Sequence, residues 1–195
     1  MPNFGKASHP ETLAELAGKA EKCGWDGFFL WNHIVEWDKQ LPIYDSFTSL
    51  AAIALKTNQI QLGTTVTPLP RFKPWEVARQ TVSLDHLSQG RLTLGVGLGA
   101  RESCDYERFG ESADNKILAE KLDESLRIIA GLWTGRPFSY QGRHYRVQKT
   151  TFPTATITEA QDTYLGWRVL AEKSAFQARS QMGRSHSSKT SRRTP

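Results

Sequence analysis

Apolar positions fall into short continuous runs separated by stretches of helical spacing, and the clearest alternation spans Asn58 to Ala100. Ile60 to Val66 is β-branched and apolar, with Gly63 inside it. The loop Thr67-Pro68-Leu69-Pro70 should end regular structure, because proline lacks an N–H and fixes φ. Pro74 stands where a first-turn proline belongs. Trp75, Val77, Ala78, Val82, Leu84 and Leu87 make a helical stripe. Gly90 suits the position just past a helix end. Arg91 to Val96 is a second apolar run, closed by Gly95-Val96-Gly97-Leu98-Gly99. Two near-continuous apolar strands joined by a helix predict a parallel βαβ unit buried on both faces.

The flanking pattern extends the alternation. Met1 to Gly5 reads as the last residues of a strand. Leu13, Leu16, Ala17 and Ala20 predict a helix over Pro10–Cys23, with Ser8 or His9 near its N-cap and Gly24 at its end. Asp26 to Trp31 is a buried strand that runs into the side-chain-rich loop Asn32-His33-Ile34-Val35-Glu36-Trp37. Asp45 or Ser46 should cap a helix from Phe47 to Lys56, and Ile117, Leu118, Leu122, Leu126, Ile129 and Leu132 predict another over Asn115–Trp133. Phe138 to Val147 alternates around Gln141-Gly142 and reads as a hairpin, with His144 and Tyr145 as surface packing. Strands alternating with helices at this spacing predict a (β/α) barrel or a doubly wound sheet. A full (β/α)8 barrel takes roughly 250 residues, and the readable part supplies about half of one.

Charge changes the picture of the C-terminal quarter. The net charge is +5, but residues 149–195 hold eight Lys/Arg against three Asp/Glu, and the first 148 residues carry 17 of each sign. The basic balance thus belongs to a tail, expected to be poorly structured, and the domain of residues 1–148 is not read as a nucleic-acid binder. No run is long enough to cross a bilayer. Cys23 and Cys104 form no recognisable framework, which fits reduced thiols and a cytoplasmic protein. No His/Cys/Asp/Glu group has metal-ligand spacing.

Three stretches carry a resemblance: GWDGFFLWNHI, the run IQLGTTVTPLPRFKPWEVARQTVSLDHLSQGRLTLGVGLGA, and KLDESLRIIAGLWTGRPFSYQGRHYRV. Together they resemble, collinearly from about Asn3 to Val147, the N-terminal half of the bacterial-luciferase-like family of flavin- or deazaflavin-dependent oxidoreductases. The resemblance implies an α/β fold, a TIM (β/α)8 barrel present here as a partial barrel of about strands 2–4 with their helices. It also implies a cofactor, FMN or coenzyme F420 (an 8-hydroxy-5-deazaflavin), over the C-terminal ends of the strands, where barrel sites sit. Monooxygenase or hydride-transfer chemistry on a small organic substrate is implied by the same likeness, as is a homodimer for a complete member. The alternative is a truncated, non-catalytic fragment of such an enzyme.

The matched positions supply the candidate site residues. His33, after the second family strand, can exchange a proton with a substrate, and several deazaflavin-dependent relatives have a histidine here with a tryptophan four residues on, matching Trp37. Many relatives have Asp before that histidine; Asn32 cannot ionise and is placed with the cofactor residues. The resemblance implies a non-proline cis peptide at Thr65–Val66 backing the ring, with Thr65 or Thr67 bonding to it. Gly97 and Gly99 would let backbone approach the cofactor; they do not meet the GxGxxG dinucleotide pattern. Ala100 stands where glucose-6-phosphate-type relatives carry an acid, with Glu102 displaced by two. Asp85, Arg91 and Asp123 match family positions and are read as structural salt bridges and caps.

The pattern departs from the family at both ends. Most of the family's first strand has no counterpart before Pro2-Asn3-Phe4-Gly5, so the start is read as placed too late. After Val147 the likeness stops, yet Gln161 to Trp167 read one nucleotide later permits Arg-Ile-Pro-Ile-Trp-Val-Gly. Trp167 followed by a CGN codon at Arg168 forces the glycine that ends this run, and Met182 before Gly183 forces a tryptophan. The displaced text LQKPRIPIWVGGFWPKKAPFRPAARWDG resembles the family's fifth strand and the segment after it. Resequencing the gene from codon 140 onward is expected to show one base missing or extra near codons 148–153; an unaltered frame would reject this reading.

Overall fold

The computed structural model describes residues 1–35, 41–99, 105–157 and 170–171. The chain runs α1 (Pro10–Lys22), β1 (Gly27–Leu30), α2 (Ser46–Lys56), β2 (Gln61–Pro68), α3 (Pro74–Leu87), β3 (Leu92–Gly97), α4 (Asn115–Trp133), β4 (Phe138–Gln141), β5 (Arg146–Thr150) and β6 (Leu170–Ala171), with 3-10 turns at Leu69–Arg71 and Glu107–Phe109. β1, β2, β3 and β6 form one sheet in that order, every neighbour parallel. The strand order follows the chain without reversal, and the helices pack in succession, α1 on α2, α2 on α3, α3 on α4. A doubly wound sheet reverses its strand order and puts helices on both faces. Strands taken in chain order with helices in a row make a segment of a (β/α) barrel instead.

Local chemistry sets the element ends. Asp45 caps α2 by accepting from Thr48 N–H at 2.7 Å, and Asp114 caps α4 by accepting from Lys116 and Ile117 N–H. α1 starts at Pro10 after His9, with no side-chain cap. Gly24 and Gly90 take φ of 81° just past α1 and α3. The core joins Leu13 and Ala17 of α1, Leu50 and Ile53 of α2, Val77 and Val82 of α3, and Ile128 and Ile129 of α4 to Leu30, Leu62, Leu94 and Val96 of the strands.

Two polar devices hold the end of the sheet where its strands begin. The Glu21 carboxylate accepts from the N–H groups of Asn58, Gln59 and Ile60, the latter two at 2.6 and 2.8 Å, and these bonds hold its pKa below the usual range against burial. The Arg91 guanidinium is buried and donates to the carbonyls of Ala54, Thr57, Ile60 and Ser88 and to Thr57 Oγ1. Arg91 is therefore a structural tie, through carbonyls rather than a salt bridge. Asp85 is buried and accepts from Ile157 N–H at 2.9 Å.

Several expectations need correction. The proline loop does not break the strand at Thr67: β2 continues through Pro68, which pairs in register with Gly97, and Pro70 lies in a 3-10 turn. Proline's fixed φ suits a strand end, and its missing N–H costs nothing in a turn's first residues. Met1 to Gly5 is not a strand, although Met1 lies alongside β1, its amine donating to Phe29 O and its carbonyl accepting from Trp31 N–H at 2.8 Å. The hairpin does not turn tightly at Gln141-Gly142. Residues 142–145 make a wider turn because the Glu124 carboxylate gathers the N–H groups of Arg143, His144 and Tyr145. Tyr145 is buried rather than on the surface, its ring edge-on to Trp75 at 6.2 Å. His144 is half-buried and meets Glu120 at 2.9 Å.

The boundary expected at residue 148 falls inside β5, whose Thr150 pairs with Phe138. Beyond it, Phe152 lies under the Arg79 guanidinium at 3.8 Å and Ala155 O meets His86 Nε2 at 2.8 Å. The stretch read in a displaced frame, Gln161 to Trp167, lies outside the described residues.

Glycine is required where β2 and β3 press together. A Cβ at Gly63 would fall on the carbonyl oxygen of Thr93, and one at Gly95 on that of Thr64. Gly95→Ala is expected to destabilise the fold by about 1–3 kcal/mol or more, read as a lower urea midpoint; an unchanged midpoint would contradict this close approach.

Candidate functional site

The C-terminal ends of three successive strands bring four side chains together. Asn32 and His33 come directly after β1, Arg71 lies in the turn after β2, and Asp105 lies after β3. Arg71 Nη1 donates to Asp105 Oδ2 at 2.7 Å, with both side chains about 95% or more buried. Arg71 Nη2 donates to the Asn32 carbonyl at 3.0 Å and to Asn32 Oδ1 at 2.8 Å. His33 Nδ1 lies 3.3 Å from Asp105 Oδ2, and Asp105 Oδ1 accepts from Val35 N–H at 3.2 Å.

The backbone around His33 is fixed from other elements. Asn3 Nδ2 donates to the carbonyls of His33 and Tyr44, and Asn3 Oδ1 accepts from His33 N–H at 3.2 Å. Ser46, the first residue of α2, donates to Trp31 O at 2.6 Å. The His33 ring is edge-on to the rings of Phe4 and Trp31, each at 6.0 Å.

Burial pushes the Asp105 carboxyl up, but the His33 hydrogen bond, the Arg71 charge and the Val35 N–H outweigh it and hold the group below the usual carboxylate range. Burial pushes the Arg71 guanidinium down against the opposing pull of Asp105. Burial also raises the Tyr106 phenol, whose hydroxyl donates to Leu98 O at 2.7 Å.

Most of the other expected site residues lie along β2 and β3 or just past them. The Thr65–Val66 peptide is cis. Thr65 is exposed, whereas Thr67 is fully buried and donates to Thr64 Oγ1, which in turn donates to Gly95 O. Gly97 pairs with Pro68 in the ladder, and Gly99, at φ 80°, backs onto Pro68 and Tyr106. Trp37, Ala100 and Glu102 lie outside the described residues. A groove of about 700 Å³ lies between α3 and the hairpin, lined by Trp75, Arg79, Arg146 and Phe152 among others, none of which belongs to the cluster.

Sequence reasoning missed Arg71, Asp105 and Asn3. Arg71 and Asp105 are 34 residues apart, in two loops whose polar residues look alike. The one available signal was an arginine inside the apolar, proline-rich PLPRFKP, which a folded chain must supply with an acceptor.

The fit to a flavin-type ring turns on unused donors. Asn32 Oδ1 accepts from Arg71, so the amide orientation is set by a group that can only donate. Among the described residues Asn32 Nδ2 is then a buried donor without a partner, at the same end of the sheet as the exposed Thr65 hydroxyl. Flavin and deazaflavin rings carry carbonyl and nitrogen acceptors along one edge, so these residues fit such a group.

The chain is also similar to known proteins in sequence and in fold. A family model described as luciferase-like monooxygenase matches residues 3–166. The chain is 35% identical over 147 residues to an F420-dependent glucose-6-phosphate dehydrogenase of Nakamurella multipartita, covering 73% of this chain and 42% of that one. The chain thus spans about 42% of the length of the curated relatives it matches. Among solved structures, the monooxygenase RslO1 from Streptomyces bottropensis superposes with a TM-score of 0.70 at 23% identity, over 91% of this chain and 52% of that chain. The FMN-bound oxygenating constituent of 3,6-diketocamphane monooxygenase from Pseudomonas putida gives 0.63 at 26% identity, over 73% and 40%. An F420-dependent secondary alcohol dehydrogenase gives 0.69 at 22% identity, over 76% and 46%.

The lowered Asp105 carboxyl has a pH consequence. A group with a depressed folded pKa contributes stability above its unfolded pKa, and that stability is lost as pH falls through the folded pKa. Asp105→Asn is expected to cost about 3–5 kcal/mol at neutral pH by leaving Arg71 uncompensated. The gap to the wild type should close below about pH 4; a gap constant into acid would show that the carboxylate charge is not what stabilises the loops.

Proposed function

The chain belongs to the luciferase-like monooxygenase family, and from that premise we propose that it is part of a redox enzyme acting on a small organic molecule through bound FMN or coenzyme F420. The observation that carries the proposal is the buried Asn32 Nδ2 donor beside His33, unpaired among the described residues and at the same end of the sheet as Thr65. The F420-dependent curated relatives favour the deazaflavin of the two.

When bound, such a ring supplies two-electron chemistry, as hydride transfer or oxygen activation. The protein's own residues do the rest. Asn32 Nδ2 would donate to the acceptor edge of such a ring, and the Thr65 hydroxyl would offer a second bond. The Val66 backbone would back the ring, and Gly97 and Gly99 keep the end of β3 and the residue just past it free of side chains that would block its approach. Thr67 acts as a support, through its bond to Thr64. His33 takes or gives the proton that accompanies the redox step, and Trp37 is assigned to the same catalytic loop. For the complete enzyme we further propose a cytoplasmic homodimer.

The 42% span of the relatives favours a second reading, that this chain alone is a non-catalytic fragment. Titration of coenzyme F420, and separately FMN, separates the two by cofactor fluorescence. Saturable quenching with one of them, weakened about tenfold in Asn32→Leu through loss of one buried hydrogen bond, is expected for the enzyme reading. No change with either cofactor would leave the fragment reading.

A further inference from the structure

The rim cluster contains a group to which the proposed chemistry assigns no task, the Asp105 carboxylate. It is 2% exposed and divides its two oxygens. Oδ1 holds the Val35 N–H, while Oδ2 receives Arg71 Nη1 and faces His33 Nδ1. An ionised carboxylate can only accept, so the hydrogen between Oδ2 and Nδ1 is the imidazole's own. The two ring nitrogens are not equivalent, and the bond made by one decides which of them carries hydrogen in the neutral ring.

We propose that Asp105 is a positioning residue for His33, fixing the neutral imidazole as its Nδ1–H tautomer and so making Nε2 the proton acceptor. Free imidazole side chains prefer the opposite tautomer, with hydrogen on Nε2. The described charged groups around His33 are Asp105 itself, from the segment after β3, and Arg71, from the turn after β2. The His33 hydrogen bond, the Arg71 charge and the Val35 N–H together keep the carboxylate ionised at this depth. The other terminal nitrogen of Arg71 grips the Asn32 carbonyl and side chain, so one guanidinium sets both the orienting carboxylate and the residue next to His33. When Nε2 takes a proton, the imidazolium stays paired with Asp105, and the charge formed is met by a partner already in place.

The catalytic value of this arrangement rests on the reading of His33 as the proton-handling group, but the tautomer does not. The test therefore reads the tautomer directly. Long-range proton–nitrogen correlation spectra of the 15N-labelled full chain report which imidazole nitrogen is protonated, with His33 picked out among the five histidines by its loss in His33→Gln. The Nδ1–H pattern is expected in the wild type, and an Nε2–H pattern there overturns the proposal without any variant.

The double variant Arg71→Met with Asp105→Leu removes both charges, so neither is left buried and unpaired. In it His33 should revert to the Nε2–H form. Retention of Nδ1–H after loss of Asp105 would assign the orientation to another group and reject the role. An Nδ1–H wild-type spectrum in a chain that binds neither cofactor would remove the redox reading while leaving the Asp105 assignment in force.

Discussion

A single buried ion pair, Arg71 with Asp105, joins the loops that come after three neighbouring strands. Taking two charges out of water costs several kcal/mol each, and their attraction offsets this only where geometry is good and the remaining donors are used. Arg71 uses one terminal nitrogen on Asp105 and the other on two oxygens of Asn32, with its Nε left without a partner among the described residues; Asp105 uses one oxygen on Val35 and the other on Arg71 and His33. Removing either partner strands the other beside an apolar core. The pair contributes less to net stability than to the fixed relation among Asn32, His33 and Val35, and every functional assignment at this rim depends on that relation.

The opposite end of the sheet uses the same physics without an ion-pair contact. Arg91 is satisfied by carbonyls and one hydroxyl, and Glu21 by three backbone N–H groups. Loops there need only be closed, so backbone groups suffice as partners. At the rim, two side chains that can change or orient charge lie within reach of each other, and a site can be built. Between the two ends, Gly63 and Gly95 let β2 and β3 approach until no Cβ fits. The strand order, unreversed and with helices in a row, then directs the three loops toward one side.

Much of this was legible in the chain. The helix from Asn115 to Trp133 matched the pattern because a 19-residue amphipathic stripe with Asp114 before it leaves little choice. β1 and β3 were visible as apolar runs, β1 shorter than its run by one residue at each end and β3 displaced by one. The proline segment misled, since the rule that proline ends strands holds for interior ladder positions and Pro68 is a final one. The hairpin was recognised but its turn was not, because the carboxylate that shapes it, Glu124, lies in α4. Tyr145 was misjudged for a related reason: its burial depends on Trp75, a residue 70 positions earlier in another element.

The sequence by itself determined the alternation of strands and helices, the family, and the presence of a histidine after the first observed strand. These come from local spacing and residue type, which act over a few positions. Only the tertiary structure decided that Asp105 and Arg71 meet, that Asn32 is left with an unused donor, and that Thr65 rather than Thr67 keeps an open hydroxyl. Each of those depends on which distant groups share a buried space. Burial makes the pairing obligatory, and residue order alone does not say which partners will meet.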